Sequence, residues 1–102
     1  MKLISDGRIF DLDKATLIAT SDWWMWYGDR RRKFYQSVNG TFFVTEECDT
    51  TMPKYRHPER ITNILTNSKA RDLYESIINR TSGVSYNLHI TNYGDLFKLI
   101  EG

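Results

Sequence analysis

The stretch Lys33-Phe34-Tyr35-Gln36-Ser37-Val38-Asn39-Gly40-Thr41-Phe42-Phe43-Val44-Thr45 decides how the rest of the chain is read. Two runs rich in β-branched and aromatic residues flank an Asn-Gly pair. Both central positions of a type I′ turn favour a positive φ, which Asn and Gly tolerate. The reading is a β-hairpin with a two-residue loop, Val38 opposite Thr41 and Gln36 opposite Phe43. Phe42 and Val44 then share one side of their strand, and Thr41, Phe43 and Thr45 share the other.

Upstream lies Ser21-Asp22-Trp23-Trp24-Met25-Trp26-Tyr27-Gly28. Alternation puts Trp24 and Trp26 on one face and Trp23, Met25 and Tyr27 on the other. Both faces are bulky, so the segment is either covered twice or shows one aromatic face to water. After Gly28 comes the unbroken run Arg30-Arg31-Arg32-Lys33, where the sheet is expected to leave the core. Earlier still, the Asp6-Gly7 turn signal precedes Arg8-Ile9-Phe10, a short strand. Asp11 to Lys14 reads as a turn and Ala15 to Thr20 as a strand. A tight connection makes these the first hairpin, with Ile9 and Leu17, or Phe10 and Ile18, on one face.

Downstream, Cys48 to Pro58 has little periodicity and contains Pro53 and Pro58, the mark of an irregular loop; structureless loops of this length are more often functional than short ones. Ile61 to Leu65 reads as a short returning strand. Ala70, Leu73, Tyr74, Ile77 and Ile78 then fall at i, i+3, i+4, i+7 and i+8, which predicts a helix over about 67–80. Thr66, Asn67 or Ser68 caps its start, and Gly83 stops it after fraying through Asn79 to Ser82. Val84, Tyr86, Leu88 and Ile90 alternate with polar residues as a half-buried strand. Asn92-Tyr93-Gly94 breaks it, and Asp95 precedes Leu96, Phe97, Leu99 and Ile100, a capped helical turn or a last edge strand. The expected architecture is a single α+β domain over 1–102: a hairpin-rich antiparallel sheet with one main helix packed on one face.

Composition agrees with a core that needs no staples. Of 102 residues, 40% are apolar, and six Tyr, five Phe and three Trp supply wide surfaces to bury. Cys48 is the only cysteine, so no internal disulfide can form and no thiolate cluster is available for zinc. The longest hydrophobic run, Trp23 to Tyr27, is far short of the ~20 residues of a membrane helix. Met1 to Gly7 lacks the apolar region and cleavage site of a signal peptide. These features point to the cytoplasm and away from a membrane.

A formal charge of +1 does not suit a protein that neutralises a long duplex by bulk charge. Distribution is more telling, because a nearly neutral protein can still present a positive face. Arg30, Arg31, Arg32 and Lys33 lie beside Trp26, Tyr27, Phe34 and Tyr35, and Lys54, Arg56 and Arg60 follow. Arginine offers planar, multi-donor contacts to phosphate, and neighbouring rings stack on unpaired bases. The same residue types dominate the energetics of protein interfaces. The candidate binding residues are therefore Trp26, Tyr27, Arg30, Arg31, Arg32, Lys33, Tyr35, Lys54, Arg56 and Arg60. The plainer reading is a wet loop for the cations and core for the rings.

Covalent chemistry finds little support. The chain has no glycine-rich phosphate loop and no HExxH pair. A Cys48–His57 thiol–imidazole pair, the basis for a small hydrolase, is outweighed by a partly buried thiol and a surface imidazole. Asp11 with Asp13, and Glu47 with Asp49, lack a third metal ligand and read as solvated turns. The expectation is a protein that is not an enzyme, with no cofactor, no metal and no catalytic residue.

Three segments carry a resemblance: Gly7-Arg8-Ile9-Phe10-Asp11 continuing through Ala15-Thr16-Leu17-Ile18; Lys33-Phe34-Tyr35 with Asn39-Gly40 and Phe42-Phe43-Val44; and Ile61 to Leu65 feeding Ala70, Leu73 and Tyr74. Together they resemble a diffuse group of small, mostly uncharacterised bacterial and phage proteins, to which some anti-CRISPR inhibitors are similar. The resemblance implies a hairpin-rich sheet with a packed helix. It also implies a non-catalytic inhibitor of a nucleic-acid-guided defence nuclease, working in a bacterial cytoplasm through the nuclease effector or its guide or target RNA or DNA. Trp23-Trp24-Met25-Trp26 and the segment from Tyr86 to Ile100 depart from that group. Two alternatives stand beside it: a small nucleic-acid-binding regulatory protein, and a homo-oligomerising structural module whose exposed aromatics self-associate.

Overall fold

The turns organise the chain, and a computed structural model describes residues 1–98 of it. Asp6 and Gly7 both take positive φ, 52° and 69°, the pattern of a type I′ turn. That turn joins β1 (Lys2–Ser5) to β2 (Arg8–Asp11), with Leu3 opposite Phe10. The expected pairing of the Arg8 segment with Ala15 to Thr20 is therefore replaced. The residues before the turn are its strand partner, as a two-residue loop requires.

β3 (Thr16–Met25) reverses at Trp26-Tyr27 into β4 (Gly28–Gln36), with Met25 opposite Gly28. The basic run thus lies within a strand and not in a wet loop. Neither turn residue has a positive φ, and the unusual backbone falls on Gly28, φ 147°. A Cβ there would come within 2.5 Å of the Asp49 carbonyl oxygen and the Thr50 Cβ. Glycine is required by both conformation and space.

β4 leads to β5 (Phe42–Asp49) through the expected Asn39-Gly40 turn, but the loop has three residues, Val38 to Gly40. The Gly40 amide donates to the Ser37 carbonyl at 2.9 Å, and the Ser37 amide to the Thr41 carbonyl at 2.8 Å. Only Gly40 in this turn has a positive φ, 86°. This is a type I turn closed by a glycine bulge. The register moves by one residue, so Gln36 faces Phe42 and Tyr35 faces Phe43. A shift of one exchanges the faces of a strand. Phe42 and Val44 consequently join Phe34, while Phe43 joins Tyr35.

β6 (His57–Leu65) begins four residues before the expected Ile61 and incorporates Pro58 near its edge-facing start. α1 (Asn67–Ile78) is capped by Thr66, whose hydroxyl accepts from the Lys69 amide at 3.2 Å. Its end precedes Gly83: Arg80 turns left-handed, φ 59°, and its amide donates to Ile77 while Thr81 donates to Ser76. That double closure is a Schellman stop made without glycine. Of the alternating segment from Val84 to Ile90, only β7 (Asn87–Leu88) pairs, opposite Thr20 and Ala19. A short 3₁₀ turn, Tyr93–Asp95, follows, with the Asn92 side chain accepting from the Gly94 amide at 3.0 Å. Leu96 and Phe97 pack on the core, and Leu99 and Ile100 lie outside the described residues.

The result is a small α+β fold: an antiparallel five-stranded sheet in the order β6-β5-β4-β3-β7, a separate β1–β2 hairpin, and a helix packed on the sheet. One core joins Ile18, Phe34, Phe42 and Val44 to Ala70, Tyr74 and Ile77 of α1. A second, on the opposite face, joins Phe10 of β2 to Tyr35 and Phe43. The ring pairs Tyr35–Phe43, at 5.1 Å, and Phe10–Phe43, at 4.7 Å, are its centre. Both cores sit near the β4–β5 turn. The other end of β3, β4 and β5 continues past them and gives the molecule its 50 × 31 × 19 Å outline. Among the described residues no helix is long and apolar enough to cross a membrane.

Candidate functional site

Antiparallel partners share a face of the sheet, so the register defines what the extended end presents. On the face away from α1, Trp24, Asp29 and Asp49 form the outermost row, and Asp22, Arg31 and Glu47 form the next. Thr20, Lys33, Thr45 and Ile61 follow, and then the buried Tyr35 and Phe43. On the face towards α1, the outer row is Trp23, Arg30, Cys48 and His57, and the next is Ser21, Arg32, Glu46 and Arg60. Alternation along β4 therefore separates the basic run into Arg30 with Arg32 on one face and Arg31 with Lys33 on the other.

Each of those cations meets a carboxylate. Glu46, which is buried, accepts from both Arg30 and Arg32, the latter at 3.4 Å. The two guanidinium carbons lie 5.8 and 5.2 Å from the centre of the Trp23 ring. Arg30 also donates to the Tyr27 hydroxyl at 2.8 Å. Arg31 bonds Asp22 at 2.5 Å, with Glu47 at 3.9 Å, and the Asp22 carboxylate holds it still more firmly protonated than a free arginine. Lys33 lies 3.5 Å from Glu59 and 3.9 Å from Glu47. The run is thus a set of strand-to-strand ion pairs and not one cationic patch.

Glu59 anchors the boundary between this end and the core. It is buried and accepts from the Thr45 hydroxyl at 2.5 Å and the Tyr35 hydroxyl at 3.2 Å. Burial first, and the Glu59 charge second, push the Tyr35 phenol above its ordinary range. Tyr35, expected at a binding surface, is a core residue.

Of the remaining expected residues, Trp26, Tyr27 and Lys54 gather at the turn, while Arg60 lies down β6 opposite Glu46. Tyr27 stacks on Tyr55 with centroids 4.4 Å apart, and Trp26 meets both rings edge-on at 5.2 and 5.4 Å. The Thr50 hydroxyl donates to the Tyr27 carbonyl and ties the following loop to this tip. Lys54 lies over the Tyr55 ring at 5.6 Å. Lys54, Arg56 and Arg60 are exposed and form no salt bridge among the described residues. They, and not the Arg30 to Lys33 run, are the uncommitted cations.

Cys48 and His57 are direct strand partners, yet the thiol is only 2% exposed. His57 Nδ1 faces the Pro58 carbonyl at 3.1 Å, and its buried Nε2 has no hydrogen-bond partner among the described residues. Among the described residues no base is hydrogen-bonded to the sulfur. Glu47 and Asp49 belong to β5 and not to a solvated turn. Among the described residues no group of three or more His, Cys, Asp and Glu side chains is arranged to hold a metal ion.

Trp24, Asp22, Asp29, Glu47 and Asp49 lie outside the set of binding residues expected from the sequence. Trp24 is 74% exposed. Around it, the four carboxylates Asp22, Asp29, Glu47 and Asp49 outnumber the two cations Arg30 and Arg31, and with Trp23 these residues line a shallow depression of about 570 Å³. Folding Ser21 to Arg32 about Trp26-Tyr27 brings Asp22 to Arg31 and Trp24 to Asp29, but that dipeptide has no turn-forming residue to mark the reversal. Comparison with protein-family models, curated proteins and solved structures finds no match to this chain.

Proposed function

We propose that this protein is a non-catalytic inhibitor that docks the extended end of its sheet on a cationic surface of a nucleic-acid-guided bacterial nuclease. The observation that carries the reading is the row Trp24, Asp29 and Asp49. Like charges directly opposite each other destabilise a sheet, and among the described residues no cation is paired into that row to offset them. A cation from a partner relieves the repulsion. Trp24 beside it is the residue type most often dominant in protein interfaces. Nuclease surfaces that hold nucleic acid are positively charged, so an acidic, aromatic sheet end competes for the same ground. The resemblance to small phage proteins and anti-CRISPR inhibitors points the same way.

Stoichiometric inhibition is the direct test. Target cleavage by a susceptible guided nuclease is expected to fall in proportion to added protein and to recover with Trp24→Ala. Undiminished cleavage at excess protein across a panel of such nucleases defeats the proposal.

A second reading rests on the exposed Lys54 and Arg56 near the ring cluster of Trp26, Tyr27 and Tyr55, with Arg60 further along β6: a regulator that binds single-stranded nucleic acid. It requires affinity that falls steeply with salt and weakens when Lys54 and Arg56 are neutralised. Trp24→Ala leaves that binding intact, which separates the two readings.

A further inference from the structure

β3 has a second neighbour for only part of its length. β7 pairs with Ala19 and Thr20 and stops, and the Ser21 hydroxyl makes one more contact, donating to the Ser85 carbonyl at 2.8 Å. From Asp22 to Met25, β3 is paired to β4 on one side and, among the described residues, to no strand on the other. Such an edge leaves outward N–H and C=O groups free to template another strand.

Natural edges are usually blunted by bulges, prolines or several charges. This one runs in unbroken register from Ala19 to Met25, because the β3 irregularity lies back at Leu17/Ala19. It has no proline, and Asp22 is its only charge. Its two faces differ: Asp22 and Trp24 project to the carboxylate side, and Trp23 projects to the side where Arg30 and Arg32 lie against its ring.

We propose that the free edge of β3 from Asp22 to Met25 accepts an extended segment of the partner as an added strand, with lysine or arginine at alternate positions. The proposal rests on the reading of a cationic protein partner and specifies how that partner is held. An added strand places every second side chain beside Asp22 and Trp24, within reach of cross-strand pairs and the depression bordered by Asp29 and Asp49. The intervening side chains meet Trp23 under two guanidiniums, where an apolar residue fits and a cation is repelled. Alternating basic and apolar residues satisfy both faces. A second copy of this chain is a poor occupant, since pairing β3 to β3 aligns the two carboxylate faces side by side.

The test uses the full ¹⁵N-labelled chain and a synthetic peptide alternating lysine and valine. A second peptide of the same sequence carries methyl groups on its central backbone nitrogens. The unmodified peptide is expected to slow amide exchange at least tenfold between Asp22 and Met25. The methylated peptide is expected to bind at least tenfold more weakly, because it keeps its charge and loses its backbone donors. Asp22→Lys is expected to weaken the unmodified peptide about fivefold or more. Equal affinity of the two peptides overturns strand addition and leaves the acidic docking face standing. Failure of both peptides to bind overturns strand addition and the cationic-partner reading together.

Discussion

The same three strands, β3, β4 and β5, build two unlike regions. Near the β4–β5 turn their side chains are buried on both faces, against α1 on one and β2 on the other. Beyond Ser21, Arg32 and Glu46 the strands keep their pairing but exchange apolar contacts for ion pairs and rings. The first region is held by removal of apolar surface from water, which is worth about 25 cal/mol per Å². The exposed Arg31–Asp22 pair of the second is worth roughly 0–1 kcal/mol, whereas Arg30 and Arg32 are held on the buried Glu46. Backbone pairing thus extends a sheet past its core, and the exposed face of the extension is free to present chemistry.

The largest effect that separates the regions is expected from Phe34→Ala, at a fully buried site between sheet and helix. Loss of about 3–5 kcal/mol is expected in urea denaturation; a loss under about 1 kcal/mol means that the core is not where stability resides. Gly28→Ala is expected to cost about 1–3 kcal/mol, through the φ of 147° and the clash with Asp49 and Thr50. Its damage is local: amide exchange rises at Trp23 to Arg31 and at Glu47 to Asp49 while Phe34 and Tyr74 stay protected. Equal opening of both sets shows that the two regions unfold as one.

The junction responds to pH. The native Tyr35 phenol holds its proton above the ordinary value of 10.0, so above about pH 10 the unfolded state releases protons that the folded state retains. Stability is expected to fall as pH rises beyond that point, with Tyr74 contributing in the same direction through burial. Denaturation curves at pH 9 and pH 11 measure the decline, and Tyr35→Phe reduces it. An unchanged slope in that variant means that burial and the Glu59 charge do not raise the phenol. Trp24→Ala is the smallest perturbation: stability within about 0.5 kcal/mol of the parent is expected, since the indole is largely in water. A larger loss makes Trp24 part of the fold and removes it as a docking anchor.

Much of the architecture was legible in local signals. The Thr66-capped helix, the Asn39-Gly40 hairpin and the sheet class all follow from turn chemistry and periodicity, which act between residues near in sequence. The errors share a cause. Asp6-Gly7 marked a turn but not its partner; Asn39-Gly40 allowed two loop lengths that differ by one register step; and Trp26-Tyr27 carried no turn signal, because the required backbone irregularity passed to Gly28. Arg80 likewise took the left-handed stop expected of Gly83, since hydrogen bonds to Ser76 and Ile77 were available where the helix ended.

The candidate surface followed the same division. An aromatic-rich, charge-dense stretch around Trp23 to Lys33 was evident from residue types alone, as were a lone cysteine and a core large enough to need no staples. Which charges cancel was settled by strand pairing: Glu46 reaches Arg30 and Arg32, Asp22 reaches Arg31, and Asp29 meets Asp49 with no cation between. Residue types and short-range turns are local properties of the chain. Neutralisation and exposure depend on residues brought together across strands, so the acidic row at Trp24 came into existence only when β3, β4 and β5 were laid side by side.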